Sequence, residues 1–186
     1  KYLNVSGNNI SAINLSNNPL LQYLYCLNNQ LSEISLDHNS QILELHCANN
    51  RIRYINLLPV PKITYLNLYN NKISSLDCST NTLLRALVFT QNPLYELHLP
   101  NPSVLESIDG VHTPLLSVNL TNCMNLRHAD FYDSYVRDIV LPQPSVLEEY
   151  LVGSCRISSA SNILALTSLT KCDISMNDLS IDDWND

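Results

Sequence analysis

The chain has 186 residues, of which 45% are apolar, so it can bury one hydrophobic core without needing a second domain. Its formal net charge of −7 is unfavourable for binding nucleic acid or an anionic membrane surface, because both require a basic patch. No apolar run approaches the roughly 18 residues of a membrane-spanning helix. We therefore expect a single domain over residues 1–186, with no nucleic-acid partner and no segment inserted into a membrane.

An internal repeat of 21 residues organises the whole chain. The first unit, residues 3–18, reads LNVSGNNISAINLSNN, which follows the pattern L-x-L-x-x-N-x-L-x-x-L-x-L-x-x-N. Each unit thus contains the same half-motif twice, and a fixed period of this kind decides the fold ahead of local propensities. Successive units start 21 residues apart, except the ninth, which starts one residue late, and the starts are Leu3, Leu24, Leu45, Leu66, Leu87, Ile108, Ala129, Tyr150 and Cys172.

Each unit predicts one short strand followed by a turn. The Leu-x-Leu spacing has a period of two, so a strand would bury its two apolar residues and expose their neighbours, and stacked units would pair strand with strand. Where the chain leaves the strand, an inward amide can satisfy backbone groups that no sheet pairs. The first Asn of a unit has this place at Asn8, Asn29, Asn50, Asn71, Asn92 and Asn177, with Thr113, Ser134 and Cys155 in the later units.

These residues resemble the leucine-rich repeat family from Leu3 to about Leu179. The form Leu-x-Cys-x-x-Asn-x-Leu, at residues 24–31 and 45–52, is similar to the 21-residue class of bacterial surface and secreted proteins. The resemblance implies a repeat solenoid, a right-handed superhelix rich in β-structure. Its concave parallel sheet would have about nine strands, with turns or short strands and little helix on the convex face. We also expect that the chain is part of a longer protein.

Unit eight departs from the pattern. A Ser-rich start is followed by Ile163, Leu164, Leu166 and Leu169, which predicts a short helical turn in place of a second strand. Trp184, near the end of the chain, is predicted to cover the last coil, because an open solenoid end exposes apolar core.

The six cysteines all fall on motif positions, so we interpret them as core residues. Cys26 and Cys47 should be stacked neighbours about 4.8 Å apart. Parallel side chains on adjacent strands suit a disulfide poorly, so we predict free buried thiols. Such thiols fit a reducing cytoplasm, but thiols sealed in a core also survive outside it, and both compartments stay open.

The outward strand positions favour a binding surface on the concave face. Tyrosine gives large, rigid contact area with a polar hydroxyl, although high strand propensity is an alternative reason for finding it there. His46 is predicted to point outward, away from Cys47, so the two cannot share a metal ion. The aromatic residues at these positions are Tyr2, Tyr23, Tyr25, His46, Tyr65, Tyr69 and Tyr132.

Past unit five the same face is predicted to become acidic, through Asp109, Asp130 and Asp173. Asp109 and Asp130 should be neighbours across two strands, where like charges disfavour one another. His112 and His128 could balance part of this charge. Ordinary solvated carboxylates, a calcium site and a basic ligand are the open interpretations.

No catalytic triad, phosphate-binding loop or paired Cys-x-x-Cys motif occurs, and Gly accounts for 3 of 186 residues. We therefore predict a non-enzymatic module without cofactor or metal that binds a protein ligand, with a basic ligand as one possibility, in a secreted or surface protein of a bacterium. The alternatives are the targeting segment of a larger secreted effector enzyme, a glycan-binding module and a cytoplasmic location.

Overall fold

The protein is described by a computed structural model, which covers residues 1–164 and 166–180. It is a solenoid of stacked coils made of three-residue strands and one short helix. The elements in chain order are β1 (Tyr2–Asn4), β2 (Tyr23–Tyr25), β3 (Glu44–His46), β4 (Tyr65–Asn67), β5 (Ser75–Asp77), β6 (Ala86–Val88), β7 (Glu96–His98), β8 (Ser107–Asp109), β9 (Ser117–Asn119), β10 (His128–Asp130), β11 (Asp138–Val140), β12 (Glu149–Leu151), α1 (Ser161–Leu164) and β13 (Lys171–Asp173).

The concave face is a nine-stranded parallel sheet with the order β1-β2-β3-β4-β6-β8-β10-β12-β13. Successive strands pair in the register of the sequence repeat, so that Leu24 lies opposite Leu45 and Leu45 opposite Leu66. Leu24, Leu45, Leu66 and Leu87 are all fully buried. The predicted solenoid and its core stack are confirmed.

The convex face carries two small parallel sheets, as the prediction of short strands required. One sheet pairs β5 with β7, and the other pairs β9 with β11. Strands β7 and β9 do not pair, and a cleft of about 400 Å³ lies between Leu97–Pro100 and Val118–Asn119. The helical turn predicted in unit eight is present as α1.

In the second to fifth coils and in the ninth, an asparagine side chain ties the coil to the one before it. The Asn50 amide nitrogen donates to the carbonyl oxygens of Cys26, Cys47 and Ala48 at 2.9, 3.0 and 3.2 Å, and its oxygen accepts from the Leu31 amide at 3.0 Å. The same arrangement recurs at Asn29, Asn71 and Asn92. The predicted inward ladder is confirmed at these asparagines. Asn8 in the first coil is exposed, and the hydroxyls of Thr113 and Ser134 donate to carbonyls of their own coil.

A second periodic feature, which the sequence reading did not identify, lies one residue before this ladder. In every coil this residue has a left-handed backbone, with φ between 50° and 70°. Asparagine tolerates this conformation better than most residues, because its short polar side chain bonds locally. The residues are Gly7, Asn28, Asn49, Asn70, Gln91, His112, Asp133, Ser154 and Met176.

All six cysteines are free. Cys26, Cys47, Cys78, Cys123 and Cys155 are buried as predicted. For Cys172 the prediction of burial was wrong, because its strand, β13, is the last in the sheet order and pairs with β12 on one side only. Trp184 lies outside the described residues.

Two phenylalanine rings fill the core where a coil contributes no side chain. Gly110 occupies the strand position that holds Phe89 in the coil before and Phe131 in the coil after. The two ring centroids are 6.4 Å apart. A Cβ atom at Gly110 would lie 2.6 Å from the Phe89 ring, so the absence of a side chain there is what admits both rings.

Candidate functional site

In each three-residue strand of the concave sheet, the residues before and after the central one point outward, and they form two rows across the sheet. The first row begins with Tyr2, Tyr23, Glu44 and Tyr65, and the second with Asn4, Tyr25, His46 and Asn67. Their strands alternate a buried central residue with partly exposed flanking residues, apart from the more open end strands. All ten residues predicted for the binding face lie on or directly beyond these strands, where the repeat register puts them.

Four rings form a continuous aromatic stack over the first four strands. Tyr2 and Tyr25 have centroids 5.2 Å apart with tilted planes. His46 stacks on Tyr25 at 4.2 Å and on Tyr65 at 4.6 Å. We refer to Tyr2, Tyr25, His46 and Tyr65 as the aromatic stack.

Glu44 fixes the middle of the aromatic stack. Its Oε2 atom accepts a hydrogen bond from the Tyr25 hydroxyl at 3.1 Å and lies 3.2 Å from Nε2 of His46. Partial burial and the bond to Glu44 raise the pKa of Tyr25. One carboxylate therefore holds two rings of the stack in place, which lowers the entropy that a ligand would have to remove on binding.

Two further predicted tyrosines adjoin the stack. Tyr23 precedes the β2 core residue and lies in register with Tyr2 and Glu44. Tyr69 follows β4, and its backbone amide donates a hydrogen bond to Oδ1 of the Asn67 side chain at 3.0 Å. Both rings are partly buried.

The centre of the concave face is lined by small side chains. Ala86 and Val88 on β6 and Ser107 on β8 lie in register with Tyr65, Asn67 and each other. A larger side chain returns on β10 with His128, which lies opposite Ser107. The outward positions of the repeat predict an aromatic part followed by an acidic part, and these small side chains lie between the two.

From β8 onward the concave strands carry acidic residues. We refer to Asp109, Asp130, Glu149 and Asp173 as the acidic group. Asp109 and Asp130 lie directly opposite each other on β8 and β10. Burial is the main reason why the pKa of Asp130 is raised. The Tyr132 amide that donates to Asp130 has the next largest effect and lowers the pKa, and the nearby charge of Asp109 has a smaller effect that raises it.

Hydroxyl and amide groups of the same coil or of the preceding coil donate hydrogen bonds to the aspartates. Asp109 accepts a hydrogen bond from the Thr90 hydroxyl. Asp173 accepts from the hydroxyl and the amide of Ser175 at 2.6 and 3.0 Å, and the hydroxyl bond in particular lowers the pKa of Asp173. Tyr132 and Asp173 meet above Gly153, where a Cβ atom would lie 2.9 Å from each.

The histidines proposed to balance Asp109 and Asp130 pair with other carboxylates. His112 lies 2.8 Å from Asp133, and His128 lies 3.1 Å from Glu149. Lys171, which the sequence reading had not singled out, lies 4.0 Å from Glu149. Within residues 1–164 and 166–180, no basic side chain forms an ion pair with Asp109 or Asp130. His128 and Lys171 are near enough to lower the pKa of Asp130 slightly, against the larger effect of burial.

The described part of the chain contains no cluster of three or more His, Cys, Asp or Glu side chains that could hold a metal ion. Over the same residues, no helix has the length and apolar character needed to cross a bilayer.

Comparison with solved structures identifies the fold. The functional domain of InlJ from Listeria monocytogenes superposes with a TM-score of 0.76 at 20% identity, over 91% of this chain and 38% of that one. YopM, a leucine-rich effector protein from Yersinia pestis, gives 0.72 at 24% identity over 94% and 54% of the two chains. The internalin InlF from Listeria monocytogenes gives 0.67 at 21% identity over 96% and 62%.

The fold is the leucine-rich repeat solenoid. No protein-family model and no curated protein matches the chain, so the likeness rests on these structures and is one of fold. The chain spans between about a third and two thirds of the length of these leucine-rich repeat structures.

The functional domain of InlJ is described as including a cysteine ladder. In the present chain Cys26 and Cys47 occupy the same position of consecutive coils and make a stack of two thiols. The neighbouring Cys26 thiol and full burial raise the pKa of Cys47 well above its ordinary value.

Proposed function

We propose that this leucine-rich repeat chain is a non-catalytic protein-binding module whose ligand lies across the concave sheet. The observation that carries the proposal is the aromatic stack, because four rings already packed on one another, with Glu44 bonded to two of them, offer a large and rigid contact surface. Rigid aromatic side chains give binding energy at small entropic cost. Nine strands at about 4.8 Å make a face roughly 40 Å long, enough for an interface of standard size.

The two ends of the concave face are proposed to act differently. The aromatic stack with Tyr69 would supply buried contact area, and therefore resist dissociation. Asp109 and Asp130, which have no ion pair within the described residues, would attract a basic region of the ligand and accelerate association. The ligand is thus a protein with an apolar or aromatic contact region next to a basic one.

The first test removes the aromatic contacts. Tyr25→Ala combined with Tyr69→Ala should weaken binding to a protein captured by the repeats by about 2 kcal/mol or more, mainly through faster dissociation. Surface plasmon resonance measures both rates. Tyr54→Ala is the matched control, because Tyr54 is 66% exposed on the convex side. Equal affinities for the parent and the double variant would rule out the concave face as the site.

The second test removes the acidic pair. Asp109→Asn combined with Asp130→Asn should slow association and flatten its dependence on salt, because exposed charges act mainly by steering the partner before contact. The dissociation rate should change little. A salt dependence as steep as that of the parent would contradict a basic ligand region.

We also propose a bacterial surface or secreted location, supported by the likeness to an internalin of Listeria monocytogenes. A second candidate is the binding segment of a secreted effector, which is favoured by the likeness to YopM, described as an effector protein. The sequence of the full-length product distinguishes the two: an anchor to the cell surface supports the first, and an appended catalytic domain supports the second.

A further inference from the structure

One side of the solenoid combines exposed apolar residues with basic ones. It is formed by the residues that follow the inward asparagine of each coil, and it is separate from the concave sheet. We call it the lateral flank and define it as two rows of residues: Arg51, Lys72, Pro93, Pro114, Tyr135 and Arg156 in the first, and Arg53, Ser74, Tyr95, Leu116 and Arg137 in the second.

Hydrogen bonds between coils hold these rows in order. In the first row, the amides of Arg51, Lys72 and Arg156 each donate to a carbonyl of the preceding coil at 2.8 to 2.9 Å. In the second, the amide of Arg137 donates to the Leu116 carbonyl at 2.9 Å. Bonds between coils therefore hold the backbone of the basic residues of the flank, and at its centre the amides of Tyr95 and Tyr135 donate to the Ser74 and Thr113 carbonyls at 3.0 and 3.1 Å. Pro93 and Pro114 have no amide hydrogen, so the ladder of the first row is interrupted at these two residues.

The middle of the lateral flank is apolar and open to solvent. Tyr95, Leu116 and Tyr135 are 64, 53 and 52% exposed, and they lie in three consecutive coils with Pro93 and Pro114 beside them. Contiguous exposed apolar residues of this kind are uncommon on a free surface and mark interaction sites. Tyr135 is also pre-positioned, because the Arg156 guanidinium lies over its ring at 4.7 Å from the centroid.

Basic residues flank this apolar centre on both sides along the solenoid. The lateral flank contains five of the ten Lys and Arg residues of a chain whose net charge is −7. None of its residues in coils three to eight is Asp or Glu, and the first acidic residue in line with the first row is Asp178 of the ninth coil, next to the coil of Arg156. In the described part of the chain none of the five forms an ion pair. The nearest carboxylates in sequence are Glu96, which pairs with His98, and Asp138 on β11.

From this arrangement of unpaired basic residues around exposed apolar ones, we propose that the lateral flank binds a second partner, an acidic protein segment whose apolar or aromatic anchor is flanked by Asp or Glu. The anchor packs on Tyr95, Leu116 and Tyr135, and the carboxylates pair with Arg137 and Arg156 at one end and Lys72 at the other. A guanidinium pairs well with a carboxylate because it offers a planar set of donors. The concave ligand and this segment can bind together, because they use different faces.

A peptide selection tests the proposal without knowledge of the natural partner. A displayed library of random peptides of about a dozen residues, long enough to span the flank when extended, is selected on residues 1–186. The selected peptides should be enriched in Asp and Glu around one large apolar residue. Selection of peptides without acidic bias, or of none that depend on the flank, overturns the proposal.

Variants then locate the binding site of the selected peptides. Arg137→Ser with Arg156→Ser, and separately Tyr95→Ser with Leu116→Ser, should each weaken peptide binding about tenfold or more by fluorescence anisotropy, and added salt should weaken it further. The concave variant Tyr25→Ala should leave it unchanged, so the failure of one face is distinguishable from the failure of the other. All these flank side chains are exposed, and equal urea midpoints verify that the variants fold.

Two other partners of the lateral flank, a second copy of the chain and a membrane surface, can be distinguished from an acidic segment by experiment. Sedimentation showing that the chain dimerises through Arg137 and Leu116 would assign the flank to a second copy. Flank-dependent binding to phosphatidylserine vesicles would assign it to a membrane surface. Either result overturns the acidic-segment proposal.

Discussion

At the scale of single residues, Asn50 satisfies three carbonyl groups and one amide of two successive coils through one side chain. Asn50→Ala leaves these buried backbone groups without partners, so it should lower the free energy of unfolding by roughly 1 to 3 kcal/mol. Urea denaturation measures the change. Asn122→Ala is the control, because Asn122 is exposed and its loss should have a small effect. A midpoint equal to that of the parent would mean that the asparagine ladder does not stabilise the coils.

The cysteines should fall into two reactivity classes. The thiolate is the reactive form, and burial raises the pKa of Cys78 to about 12 and also raises that of Cys123. Cys172 is exposed, although partial burial raises its pKa too. Iodoacetamide should therefore label Cys172 first in the native protein and all six cysteines after unfolding, as mass spectrometry can count. In Cys172→Ser the fast label should disappear, and its persistence would place the reactive thiol elsewhere.

At the scale of strands, β6, β8 and β10 share one packing arrangement in which Gly110 leaves room for Phe89 and Phe131. Gly110→Ala introduces a Cβ 2.6 Å from the Phe89 ring and 3.0 Å from that of Phe131, so it should destabilise the fold by about 1 to 3 kcal/mol. Adding Phe89→Leu should recover part of this loss, because the smaller side chain makes space for the methyl group. A double-mutant cycle in urea measures the coupling, and strictly additive effects would contradict the proposed packing.

The β8–β10 pair also predicts a dependence of stability on pH. Burial and Asp109 raise the pKa of Asp130 above that of the unfolded chain, so the folded protein holds a proton more readily in the interval between the two values. Stability therefore falls as the pH rises through that interval and stays lower above it. Asp130→Asn should stabilise the protein at neutral pH, with a gain that shrinks as the pH falls below about 4. Urea midpoints at both pH values measure this.

The control for this experiment is Asp138→Asn, because Asp138 is exposed on β11 of the convex face. It should change the midpoint little at either pH. A gain for Asp130→Asn that is the same at acid and neutral pH would show that the charge of Asp130 is not the source of the effect.

The strand positions of the concave sheet could be predicted because they follow from a spacing of two within each unit and 21 between units. The same spacing predicted that Asp109 lies opposite Asp130, and it identified which tyrosines lie on the strands of the concave sheet. It could not predict that His46 inserts between Tyr25 and Tyr65, because side-chain rotamers decide that contact. The spacing also could not predict that β7 and β9 do not pair, because the sequence repeat continues unchanged between them. The exposure of Cys172 depends on the end of the sheet, which periodicity does not describe.

At the scale of the whole molecule, the bonds between coils join residues about one 21-residue unit apart, and each coil contacts its immediate neighbours. Stability is then close to a sum of coil and interface contributions. The proposed functions would use this arrangement, because a ligand on the concave sheet and a segment on the lateral flank would each bridge several coils and resist the opening of the interfaces between them.

The register of the coils also decides how the protein would respond to force. Tension applied between the two ends loads the parallel pairs one after another, so an outer coil should peel away before its neighbour is strained. Each detached coil frees 21 residues, which lengthen the tether by about 70 Å when extended. In an optical trap, the extension of the molecule should therefore increase in a series of small steps, one for each coil that detaches. A bound ligand that spans several coils should replace those steps by one larger unfolding event at higher force.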